Sequence, residues 1–261
     1  GEKWEVVSGR GVFESTTFID SVPRPEFYEY RVKGPDGRYS EVVEADAGAE
    51  ATLVAREIPL DPAEGVSGVA IGDLENIGAM GFVVSVARNA TVWLCGYGHR
   101  GRFLWAKDTG LPSRGGWDGS ARHVPFLCWD INSDGRTEVV FHEYEGRFPG
   151  AYYERAGDGE LLTAVDGETG EVVWSRPWPG TRPRVMMTVG HLEGLDRPAH
   201  IVVQDETYGD VELTALRGRD GALAWRVRQK RPAGHNLDIG DIDEDGAQEV
   251  ICGGVCYNGD G

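Results

Sequence analysis

The chain has 261 residues, of which 43 are acidic and 26 basic, for a formal net charge of −17. Nucleic acid and anionic membrane surfaces would repel that surplus, which argues against either as the main partner. The length allows a substantial buried core, and no apolar run approaches the roughly 20 residues of a membrane span.

The chain opens at Gly1 without a signal-peptide pattern, which reads as a mature form or a piece of a longer protein. Residues 1–45 carry alternating strand patterns at 15–20, 28–32 and 39–43, the last two joined by a tight turn at Gly34-Pro35-Asp36-Gly37. This run resembles the last strands of a fibronectin type III-like sandwich. A small-residue acidic linker is expected over 45–50, then a strand over 52–60 leading into the second region.

From 46 to 261 a unit recurs. Its opening turns fall at Asp73, Asp130, His191 and Asp241, about 50 to 60 residues apart, a spacing that suits β-propeller blades with variable loops. Each unit reads as a strand, the turn, a second apolar strand, and a third strand marked Gly-x-x-x-Trp. That mark stands at Gly101 and Trp105, Gly170 and Trp174, and Gly221 and Trp225. A glycine-bearing turn followed by a buried tryptophan would hand one blade to the next. The expected fold is all-β: a partial sandwich over 1–45, then an incomplete propeller of about three to four blades, each a four-stranded antiparallel sheet. The run Tyr257-Asn258-Gly259-Asp260-Gly261 matches the segment before Trp225 without its tryptophan, so the missing blades are expected from the rest of the protein or another chain.

Two of the turns carry the strongest chemical signal. Asp130, Asn132, Asp134 and Glu138 repeat the offsets of Asp241, Asp243, Asp245 and Glu249, with Gly135 and Gly246 at the sharp bend. Carboxylates crowd together at a cost unless a cation sits among them. Hard oxygen ligands on a tight turn suit Ca²⁺, and the backbone carbonyls of Arg136 and Ala247 can add a further ligand each. The flanks read as strands rather than the helices of an EF-hand. The turns at Asp73 and His191 lack part of the set and are expected to hold no calcium. The four cysteines, Cys95, Cys128, Cys252 and Cys256, read as small hydrophobes, with the pairing of any disulfide left open.

These acidic turns are shared with FG-GAP repeats of adhesion proteins. Taken with the run Gly234-His235-Asn236-Leu237-Asp238-Ile239-Gly240-Asp241, the chain resembles the rhamnogalacturonan lyases of polysaccharide lyase family 11. His123 stands seven residues before Asp130 and His235 six before Asp241, and Arg184 stands seven before His191, as in the family pattern. The resemblance implies a secreted or periplasmic, calcium-dependent, endo-acting lyase on an acidic plant-type polysaccharide or related glycan.

β-Elimination on a uronate requires its carboxylate to be neutralised and a base to take the C5 proton. His123 and His235 are candidates for the base or a sugar contact, Arg184 for a carboxylate clamp, and Tyr208 for a stacking face or an acid. Each also has a structural reading, as an ordinary hydrogen-bonding or ion-pairing residue. The alternative function is a calcium-stabilised propeller that binds glycan or protein in adhesion or a structural extracellular role, without chemistry.

Overall fold

The computed structural model describes residues 27–31, 37–46, 58, 65–113, 124–148, 159–180, 185–205 and 209–261. By its contacts the chain divides into two compact units, Gly1–Ile58 and Pro59–Gly261. In the first, β1 (Phe27–Tyr30) pairs antiparallel with β2 (Val43–Asp46). Pairing with Phe27 and Tyr28 draws Ala45 and Asp46 into the strand, so β2 runs into the stretch read as a linker. The strand expected over 15–20 lies outside the described residues, as does that over 52–60 apart from Ile58.

The second unit is a succession of antiparallel meanders in which every strand pairs with its neighbour in sequence. The first sheet holds β3 (Gly65–Gly72), β4 (Gly81–Arg88), β5 (Thr91–Tyr97) and β6 (Phe103–Pro112). The second holds β7 (Phe126–Trp129), β8 (Glu138–Tyr144), β9 (Glu160–Asp166) and β10 (Val172–Pro177). The third holds β11 (Val185–Gly190), β12 (His200–Asp205), β13 (Val211–Arg217) and β14 (Leu223–Gln229). The fourth holds β15 (Leu237–Gly240), β16 (Glu249–Cys252) and β17 (Val255–Tyr257). Consecutive sheets meet along their first strands, β3 to β7 to β11 to β15, which sets them in a propeller-like row. A single 3-10 turn, His99–Gly101, is the one helical element among the described residues, and no helix there is long and apolar enough to cross a membrane.

The cores lie between the sheets. On β8, Val139 and Phe141 pack with Val83, Leu94 and Trp105 of the first sheet, while Val140 between them packs with Ile201 and Val203 of the third. Side chains of a strand alternate between its faces, so one short run feeds two cores. Strands covered on both faces read as continuous apolar runs, which is the pattern of β4, β8 and β12.

The tryptophans of the Gly-x-x-x-Trp marks sit on the fourth strands, β6, β10 and β14, and not on the third as the sequence pattern suggests. The segments that precede the marks form strands of their own, β5, β9 and β13. Each indole N–H donates forward to a backbone carbonyl of the following sheet: Trp105 to Gly167 at 2.8 Å, Trp174 to Gly218 at 2.8 Å and Trp225 to Gly259 at 2.7 Å. The residue after each opening-turn position, Leu74, Ile131 or Leu192, is buried against the same three glycines. A side chain is excluded there: a Cβ on Gly167 would lie 2.5 Å from the Thr137 carbonyl oxygen.

All four cysteines are free thiols. Burial pushes Cys128 up to about 12 and Cys252 up to about 11, so both remain protonated hydrophobes.

Candidate functional site

The two acidic turns fold alike. In the second sheet, Asp130 accepts the N–H groups of Asp134 at 3.1 Å and Gly135 at 2.9 Å. In the fourth, Asp241 accepts those of Asp245 and Gly246, both at 3.1 Å. Asp134 then caps the Arg136 N–H at 2.9 Å, and Asp245 the Ala247 N–H at 2.8 Å. Gly135 and Gly246 take φ of 85° and 93°, a left-handed bend that suits glycine. The closing glutamates return to the loop, Glu138 to the Ile131 N–H at 3.1 Å and Glu249 to the Ile242 N–H at 2.8 Å.

Both glutamates are buried, at 2% and 4% exposed. Burial pushes the Glu138 carboxyl up to about 7, against the pull of the Ile131 N–H, and Asp134, Asp130 and Asp166 add repulsion. Carboxylate oxygens of Asp241, Asp243 and Glu249 lie within 4.8 Å of one another. This donor set is oxygen only, and its residues fit a hard cation.

The other two turns show what is lost when the set is incomplete. Asp73 keeps the backbone frame, accepting the N–H groups of Ile77 at 3.1 Å and Gly78 at 2.7 Å. Its neighbour Glu75 is turned away instead, bonded by the Arg102 guanidinium at 2.5 Å and by the His99 N–H. At the third turn, the His191 ring faces the Arg197 carbonyl through Nδ1 at 2.9 Å and accepts the Trp129 indole N–H through Nε2 at 3.4 Å. Adjacent turns are also stitched together: Asn76 accepts the Thr137 N–H at 2.9 Å, and Gln248 accepts the His191 N–H at 2.7 Å.

Of the residues proposed for chemistry, His123, Arg184 and Tyr208 lie outside the described residues. His235 is exposed, on the connection between β14 and β15. Its loop is held by a residue with no signal in the local pattern. Gln204 on β12, fully buried, donates through Nε2 to the Gly234 carbonyl at 2.9 Å. At the start of that connection, Gln229 donates to the Arg231 carbonyl at 3.3 Å and accepts the Tyr257 hydroxyl at 2.8 Å. His142 stacks on Trp178 at 4.0 Å and is buried, in keeping with a structural role.

No family model matches the chain. Among curated proteins it is 26% identical over 199 residues to the rhamnogalacturonan exolyase YesX and to the rhamnogalacturonan endolyase YesW, both of Bacillus subtilis strain 168. These alignments take in 62% of this chain and 32% and 31% of the two relatives. Among solved structures, that of YesX matches with a TM-score of 0.63 at 21% identity, over 95% of this chain and 50% of that one. The family 11 rhamnogalacturonan lyase of Bacillus licheniformis matches with a TM-score of 0.64 at 19% identity, over 94% of this chain and 51% of that one. The chain thus spans about half the length of these solved structures. The structural likeness is one of fold. The sequence matches make the chain a distant homologue of the rhamnogalacturonan lyases YesX and YesW.

Proposed function

We propose that this chain belongs to a secreted or periplasmic, calcium-dependent lyase that cleaves rhamnogalacturonan or a related rhamnose–uronate glycan by β-elimination. The observation that carries the proposal is the alignment with two rhamnogalacturonan lyases over 199 residues. One is an exolyase and the other an endolyase, so the mode of cleavage is for assay to decide. The first unit is read as the last strands of a fibronectin type III-like sandwich. The second is read as part of a propeller completed by further blades.

In this scheme the loops 130–138 and 241–249 hold calcium. Bound calcium supplies positive charge that neutralises the loop carboxylates and holds each turn closed. Asp130, Asn132, Asp134, Glu138 and the Arg136 carbonyl are the proposed ligands in one loop. Asp241, Asp243, Asp245, Glu249 and the Ala247 carbonyl are those in the other. His235 and His123 are proposed to take the C5 proton or contact the sugar, Arg184 to clamp the uronate carboxylate, and Tyr208 to stack on a ring or donate a proton.

The test is incubation of the chain, together with its further blades, with rhamnogalacturonan and calcium, followed by the ultraviolet absorbance of unsaturated uronate. Product is expected, and His235→Ala is expected to abolish it. Retention of the glycan in a pull-down with no such absorbance would instead identify a binding module without chemistry.

A further inference from the structure

We infer that the two acidic loops are unequal cation sites: loop 241–249 binds tightly, while loop 130–138 binds weakly. This rests on the proposal above that both loops take calcium, and it adds an order of filling. The difference comes from two positions. Where the fourth-sheet loop has Asp243, the second-sheet loop has Asn132, and where the former has Ala247, the latter has Arg136.

Asn132 does within its loop what a cation would do. Its Oδ1 accepts the Asp134 N–H at 2.8 Å. Its Nδ2 donates to Asp134 Oδ2 and to Glu138 Oε1, both at 3.1 Å. One amide therefore bridges two carboxylates that would otherwise repel each other. To turn an oxygen toward an ion in place of Nδ2, the amide has to rotate and surrender these bonds. Asp243 also accepts a backbone N–H, that of Asp245 at 3.3 Å. As a carboxylate, however, it has no hydrogen to donate, and an oxygen of Asp243 lies within 4.8 Å of oxygens from Asp241 and the buried Glu249.

The charges point the same way. Loop 241–249 brings four carboxylates from its proposed ligands and loop 130–138 brings three. The Arg136 guanidinium adds a positive charge to the second-sheet loop, bonded to Asp166 at 2.8 Å and 3.8 Å from Glu168. In oxygen-ligand loops the affinity for calcium is tuned by the number of ligand charges. Four ligand carboxylates gain more from a divalent ion than three, two of which already share the Asn132 amide as a donor.

Calorimetric titration of the chelator-stripped chain with calcium chloride tests this. Two single-ion steps are expected, separated by about ten-fold or more in affinity. Asp243→Asn should weaken the tighter step by roughly ten-fold, and Asn132→Asp should tighten the weaker one by a similar factor. Equal affinities, or an Asn132→Asp chain whose weaker step does not move, would overturn the inequality and leave the calcium proposal standing. No binding at either loop would overturn the calcium proposal itself.

Discussion

Replacing Trp174 by phenylalanine isolates the joint between the second and third sheets. An aromatic ring stays in the slot, but the Gly218 carbonyl loses its 2.8 Å partner. Trp174 is only 7% exposed, so water cannot readily take the place of the indole. Stranding a buried acceptor costs about 1 to 3 kcal/mol, and the smaller ring leaves a void that adds about 1 kcal/mol. For a unit of this size each kcal/mol lowers the melting temperature by about 2 to 4 °C, so the total of about 2 to 4 kcal/mol predicts a fall of about 4 to 16 °C. Trp105→Phe should behave alike, because its bond to Gly167 has the same length and its ring the same exposure. Trp225 is only partly buried, and its partner Gly259 can be reached by water, so Trp225→Phe should cost less than half as much. Scanning calorimetry of the four chains at fixed calcium measures the series. A Trp174→Phe shift under about 2 °C, or a Trp225→Phe shift as large, would show that the indole bonds do not hold the sheets together.

Gly167→Ala places a Cβ 2.5 Å from the Thr137 carbonyl oxygen, and it should destabilise far more in urea titration than Gly135→Ala. Gly135 has φ of 85° but open space around it, so its cost should stay near the roughly 1 to 2 kcal/mol of a left-handed residue. The His200 imidazole is held below its ordinary value by burial, with Arg217 and His191 opposing its charge and Glu193 favouring it. The unfolded chain therefore takes up that proton first, and stability present above about pH 6.5 should be lost as the pH falls through the lowered folded value. His200→Phe should flatten this slope in denaturation curves between about pH 7 and 5. Gln204→Leu leaves the Gly234 carbonyl without its 2.9 Å partner. The expected result is a loss of about 1 to 3 kcal/mol and faster amide exchange around His235, read by mass spectrometry.

The acidic turns were legible in the sequence because their geometry is local. An aspartate that accepts the amides four and five residues on, and a glycine that takes the left-handed bend, are both written in one short run. The four-strand repeat was legible for the same reason, through alternating apolar runs between turns. The strand that carries each tryptophan was not, since a Gly-x-x-x-Trp pattern does not reveal how many strands precede it. The fate of Glu75 was hidden as well. It keeps its place in the turn pattern, but Arg102, 27 residues away, and the His99 backbone draw it aside. Gln204 gave no warning either, because it meets the His235 loop across 30 residues of chain and in a different sheet.

Each indole reaches toward a sheet made later, and that direction matters while the chain is being synthesised. When the first sheet leaves the ribosome, Trp105 has no acceptor until Gly167 follows, 62 residues on. Trp174 waits 44 residues for Gly218, and Trp225 waits 34 for Gly259. Maturation therefore trails translation by one repeat, and at every moment the newest sheet presents an unanswered indole and a bare aliphatic knob.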